Sequence, residues 1–165
     1  MKTISFFTIL LILSLTTSCI EPDCCDVVQS QEFFVNLQNT ESANLLDPQT
    51  AGAVDLSKTR LFLLEDGEAK MVKYESPGAV LDYPYGVISF EENGEYGVKF
   101  FFEYDGNRKE LEGFIQWNDR FIDTLTFTFN SAENPRHLVK ISQNRTPLWD
   151  METDLEYPVS ITLIR

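Results

Sequence analysis

The side chains able to do acid–base or covalent chemistry are few. His137 is the only histidine, and histidine is the commonest general base. It alternates in step with Val139 and Ile141, which predicts a side chain turned inward or lining a sheet edge rather than a catalytic one. No Gly-x-Ser-x-Gly elbow occurs, so the strand–turn–helix that exposes a nucleophilic serine is missing. The three cysteines are Cys19, Cys24 and Cys25, which leaves the remaining chain without a thiol nucleophile or a Cys-based metal site. A zinc site built on histidine needs ligands that one histidine does not supply. The 26 acidic residues allow a carboxylate pair of the kind that hydrolyses glycosides, but this follows from their number and not from any pattern. The expectation is a protein that is not an enzyme.

Two turns offer the hard oxygen ligands that suit calcium, Asp66-Gly67-Glu68 and Asp105-Gly106-Asn107. Neither has the full Asp-x-Asp-x-Asp-Gly pattern of a calcium loop, and tight hairpins explain both. No metal or other cofactor is expected. Aromatic rings are the remaining lead. Tyr83 and Tyr85 flank Pro84, and Trp149 lies in Thr146-Pro147-Leu148-Trp149-Asp150, between the last two predicted strands. Loop aromatics beside acids and amides suit stacking on sugar faces, which makes these three the candidate ligand-binding residues. The competing reading is that they anchor loops to the ends of a core, as large aromatics usually do. Trp117 belongs to the apolar face of a strand and is expected in the core.

The elements that must position these residues are strands, because the apolar pattern from Gln31 onward has period two. Gln31–Leu37 reads as the first strand. Residues 40–47 are ambiguous, with one helical turn conceivable before Pro48. Thr59–Glu65 and Ala69–Glu75 form a hairpin about Asp66-Gly67, which supplies positive-φ positions. Gly86–Glu91 and Glu95–Tyr104 form another about Asn93-Gly94. In the longer strand Tyr96, Val98, Phe100, Phe102 and Tyr104 share one face, opposite Glu95, Lys99 and Glu103. Arg108–Asn118 and Phe121–Phe129 repeat that scheme, and Arg136–Gln143 and Tyr157–Arg165 complete about nine strands. Such alternation means sheets with one dry and one wet face, as antiparallel sheets have. Uneven strand lengths, and breaks after Glu75 and Gln143 that look like crossovers, favour an antiparallel β-sandwich, immunoglobulin-like or related, over a closed barrel. No loop in this reading is long enough to announce a deep pocket.

Composition narrows the partners. Removing residues 1–18 takes one lysine from the 13 basic residues and none of the 26 acidic ones, so the formal charge moves from −13 to −14. Nucleic acid needs a basic patch, and no run of Lys or Arg exceeds Arg108-Lys109. The same charge opposes direct adsorption of the domain to anionic lipid heads.

The N-terminus reads MKTISFFTILLILSLTTSC. Lys2 precedes an apolar stretch from Ile4 to Leu15, too short for a bilayer core that needs roughly 20 residues. It matches the hydrophobic helix of an export signal with small residues at its exit. Leu15-Thr16-Thr17-Ser18-Cys19 resembles the lipobox of bacterial lipoproteins, although Thr16 stands where that family usually has leucine. The resemblance implies cleavage after Ser18 and lipid attachment to Cys19. Two acyl chains anchor stably where one is marginal, so lipid alone would tie the protein to its membrane. The acidic, Pro-containing Ile20-Glu21-Pro22-Asp23-Cys24-Cys25-Asp26 looks like the surface-export signals of Bacteroidetes-type lipoproteins. With Cys19 acylated, Cys24 and Cys25 remain. A disulfide between sequence neighbours is strained, which leaves free thiols or pairing between two copies. Asp123-Thr124-Leu125 also resembles that group's O-glycosylation motif, within a predicted strand.

The whole chain is similar to small Bacteroidetes-type lipoproteins of unknown function: residues 1–18 a signal, 19–30 an acidic tether, and 31–165 one β-sandwich. The resemblance implies an outer-membrane, lipid-anchored protein, exposed at the cell surface. Missing catalytic groups point to a binding module for a glycan or envelope protein. The alternative is an envelope structural or assembly partner that docks through a sheet edge.

Overall fold

The computed structural model describes residues 30–74, 82–104, 108–119, 121–130, 137–154 and 158–165. The signal, Cys19, Cys24, Cys25, the tether up to residue 29 and the Asp105-Gly106-Asn107 turn lie outside the described residues.

The described residues form an all-β sandwich of ten strands. Sheet A has the order β10 (Ser160–Ile164), β1 (Ser30–Gln38), β5 (Glu95–Glu103), β4 (Val87–Glu92). Sheet B has the order β3 (Glu68–Met71), β2 (Arg60–Glu65), β6 (Glu110–Asn118), β7 (Phe121–Phe129), β8 (Leu138–Gln143), β9 (Thr146–Asp150). All pairings are antiparallel except β1 with β10, where Val35 lies opposite Ile161 and Leu37 opposite Leu163. The chain therefore closes sheet A with its last strand beside its first.

Alternation places the core as expected. Val98, Phe100 and Phe102 are buried on one face of β5, with Tyr104 buried just past its end, while Glu95 and Glu103 on the other face are exposed. From sheet A, Phe33 stacks on Phe100 with centroids 5.4 Å apart, and it meets Phe127 of sheet B at 5.5 Å. Phe102 reaches Phe127 at 5.1 Å, and Phe100 meets Trp117 edge-on at 5.9 Å. Aromatic pairs of this geometry add about 0.5–1.5 kcal/mol to their area burial. A polar group also stitches the layers: Gln31, facing inward from β1, accepts the Leu138 N–H of β8 through Oε1 at 2.8 Å.

Three hairpins turn on paired positive-φ residues: Asp66-Gly67, Asn93-Gly94 and Asn144-Arg145. The third corrects the sequence reading. The break after Gln143 is not a crossover but a tight turn within sheet B, and it leads into β9, the tenth strand. The other connection, expected to cross over after Glu75, does pass from sheet B to sheet A, but β3 ends earlier than expected, at Met71, before β4. No helical turn forms at 40–47; a bridge between Gln38 and Asn44 occupies that stretch. His137 does not turn inward either. It is exposed just ahead of β8, and its N–H is held by Asn130 Oδ1 at 2.7 Å.

Gly86, before β4, has φ +65° and a buried backbone; a Cβ there would press on the Phe101 carbonyl oxygen and lie 2.9 Å from Val72 Cγ1. Left-handed backbone strain and overpacking then add. Gly86→Ala is expected to cost roughly 2–4 kcal/mol in chemical denaturation, and a loss below 1 kcal/mol would contradict this packing.

Candidate functional site

The three aromatic residues do not form a platform. Tyr83 is 48% exposed. Tyr85 is half-buried, its ring 3.9 Å beneath the Arg60 guanidinium at the start of β2. Trp149 lies not in a loop but in β9, opposite Ile141, and its indole is buried in the core. Strands β6, β7 and β8 separate β2 from β9, a spread of about 19 Å at ~4.8 Å per strand. In sequence Trp149 reads as a loop residue because the Asn144-Arg145 turn lacks glycine and Pro147 interrupts the strand that follows.

The structure instead builds a polar groove on the outer face of sheet B. Its geometry follows from the ladder. Glu110 lies opposite Thr128, Thr128 opposite Lys140, and Lys140 opposite Asp150. A second row runs Glu112, Thr126, Ser142. Each row crosses the sheet with acid, hydroxyl and cationic or hydroxyl groups in turn, two residues apart along the strands. The register shifts on both sides of β8, between Thr128 and Phe129 and between Ile141 and Ser142. Bulges bend a strand and raise its twist, and here they curve this half of the sheet around a groove of about 770 Å³. Arg145, at φ +67°, and Glu152 stand at its sides. A non-glycine residue held in the left-handed region is strained, and such strain gathers at functional sites.

One ion pair fixes the groove. Lys140 Nζ lies 2.7 Å from Asp150 Oδ2, both partly exposed. The Asp150 hydrogen bond raises the Lys140 pKa above 10.5. The Lys140 hydrogen bond, followed by the Glu152 N–H, holds Asp150 below 3.8. The carboxylate's contribution is therefore whole above pH 3.8 and is lost as pH falls through its depressed value. The ammonium's is whole below pH 10.5 and lost as pH rises past that. An NMR titration should place the Asp150 midpoint below 3.8 in the wild type and return it upward in Lys140→Met; identical midpoints would refute the pairing.

Asp123 is the other charged cluster, and it is structural. Its carboxylate accepts from Trp117 Nε1 at 2.7 Å and Gln143 Nε2 at 3.1 Å, and it pairs with Arg165 Nη2 at 2.8 Å. With Asp123 buried and engaged, only Thr124 of the Asp-Thr-Leu motif is exposed. Asp66-Gly67 is a hairpin turn, and among the described residues no group of three or more His, Cys, Asp or Glu is placed to hold a metal ion. Sequence reasoning missed the groove residues. The alternation at Glu110, Glu112, Thr126 and Thr128 was visible as a wet face, but nothing in it marked curvature. No protein-family model, curated protein or solved structure matches the chain.

Proposed function

We propose that this chain is a lipid-anchored envelope protein of the outer membrane, held through Cys19 and displayed at the cell surface. Its folded domain acts as a non-catalytic binding module for a polyhydroxylated ligand, a glycan, in the curved groove of sheet B. The lipobox-like sequence and the acidic stretch after Cys19 support the anchoring and display.

The observation that carries the ligand class is the composition of the groove. Its lining presents carboxylate acceptors (Glu110, Glu112, Asp150, Glu152), hydroxyls (Thr126, Thr128, Ser142) and cationic donors (Lys109, Lys140, Arg145). Charged residues are depleted at the centre of protein–protein interfaces, so such a lining suits a ligand rich in hydroxyl groups better than a protein face. The rows come from adjacent strands of a rigid sheet, so the donors and acceptors are fixed before the ligand arrives, which lowers the ordering cost of binding.

The test is a polysaccharide and oligosaccharide array probed with the full chain, purified in detergent. Saturable binding to a subset of glycans is expected, weakened about ten-fold or more by Glu112→Ala or Arg145→Ala, since each removes a charge-assisted hydrogen bond. The Tyr83→Ala protein should bind as the wild type does. No binding, or binding that falls with Tyr83→Ala and survives the groove variants, would overturn the reading.

A further inference from the structure

A second concavity lies on the far side of the sandwich, beneath the connection between β1 and β2. Twenty-one residues, 39–59, separate these strands. Apart from the short 3-10 turn Leu56–Lys58 and the bridge at Asn44, this connection has no regular structure, and connections of that length are uncommon in compact domains and usually functional. This one is braced by short-range bonds. Asn39 Oδ1 accepts the Glu41 and Ala43 N–H groups, Asn44 Oδ1 that of Leu46, Asp47 Oδ1 that of Gln49 and Asp55 Oδ1 that of Ser57, all within 2.8–3.1 Å. Asn44 Nδ2 ties the loop to sheet A by donating to the Tyr96 carbonyl at 2.8 Å. Val54 N–H closes it on the Leu45 carbonyl at 2.9 Å. The loop is a built wall, not slack chain.

Between this wall and β4 lies a cleft of about 480 Å³. Its floor is apolar, from Leu46, Val54, Leu56 and the Tyr96 ring; Asp55 and Glu91 lie at its polar margin. Among the described residues no Lys, Arg or His lines it. Glu91 occupies an inward position of β4, opposite Tyr96, yet it is exposed. Burial first, then the carboxylates of Glu91 and Asp47, raise the Tyr96 phenol pKa, and the phenol is within hydrogen-bond reach of Glu91. Lys58 approaches Asp55 at 3.8 Å, but both side chains are more than half exposed, and pairs of that kind hold weakly. Along one side runs β4, an edge strand that pairs only with β5 among the described residues.

We propose that this cleft seats an arginine or lysine side chain of an extended peptide from a partner protein, laid against the edge of β4. The aliphatic stem of such a side chain packs on apolar surface while its head stays polar. The floor offers the first and Glu91 with Asp55 the second, with the Tyr96 ring available to the cation. Main-chain bonds to an edge strand give a peptide affinity, and pockets for alternate side chains give it specificity. The charge of the cleft selects a basic residue over an acidic or neutral one. This site is independent of the groove on sheet B.

The probe is the peptide acetyl-Ala-Arg-Ala-Arg-Ala-amide, titrated into the ¹⁵N-labelled full chain in detergent, with the glutamine-for-arginine peptide as control. Saturable amide shifts are expected at residues 44–57 and 88–97, absent with the control. Binding should weaken roughly ten-fold in Glu91→Gln, which removes one charge-assisted contact, and stay within two-fold in Glu68→Gln, an equal charge change on β3. Equal weakening in both variants would reduce the effect to the general acidity of the chain and overturn the site. Shifts centred on the sheet B groove, equal binding of the control, or no saturable shift would overturn it as well.

Discussion

Replacing Cys19 with alanine is expected to abolish incorporation of a labelled fatty acid and to leave the precursor uncut at residue 19. In Cys24→Ala and Cys25→Ala proteins the label should remain. The reasoning is chemical. Lipid joined to sulfur requires that sulfur, and the apolar run, the small residues and the cysteine that compose the lipobox-like stretch converge on residue 19 alone. Each buried methylene adds about 0.8 kcal/mol to membrane affinity, so two chains hold where one does not. The wild type should accordingly partition into detergent and resist extraction by salt. Label persisting in Cys19→Ala, or lost in Cys24→Ala, would move the anchor elsewhere.

The second large effect is on stability. Asp123→Ala should lower the stability of the domain by about 3–5 kcal/mol, the range seen when one partner of a buried charge network is removed. At this size that is a fall in Tm of roughly 10–20 °C. Three side chains lose their acceptor at once: Trp117 Nε1, Gln143 Nε2 and the Arg165 guanidinium. Arg165 also donates to the Ile122 carbonyl and lies 5.2 Å from the Phe121 ring centroid, so Asp123 ties the end of β10 in sheet A to β7 in sheet B. Asp123→Asn keeps the volume and one acceptor and should cost less. A change under 1 kcal/mol in Asp123→Ala would show that the two sheets do not depend on this tie.

The contrast between what could and could not be read from sequence has a physical basis. Strands β5, β6 and β7 were legible because one face is dry and the other wet, and burial enforces that alternation. The Asp66-Gly67 and Asn93-Gly94 hairpins were legible because glycine adopts positive φ without strain. The Asn144-Arg145 hairpin uses the same backbone without glycine, and Pro147 interrupts the strand that follows, so in sequence β9 looks like a loop and Trp149 like a loop aromatic. The bridge at Asn44 and the side-chain caps along 39–59 were hidden because such bonds have no periodicity. The groove was hidden for a related reason. Its side chains follow ordinary alternation, while its curvature comes from two register shifts that appear only once β8 is paired with β7 and β9.

The proposed function requires an anchored domain that carries its binding face outside the cell. Protease shaving of intact cells, with blotting for residues 27–165 and a periplasmic protein as control, tests that placement most directly. Digestion of the domain while the periplasmic control survives is the predicted result. Full protection on intact cells, with digestion only after lysis, would contradict it and confine the domain to the inner side of the outer membrane.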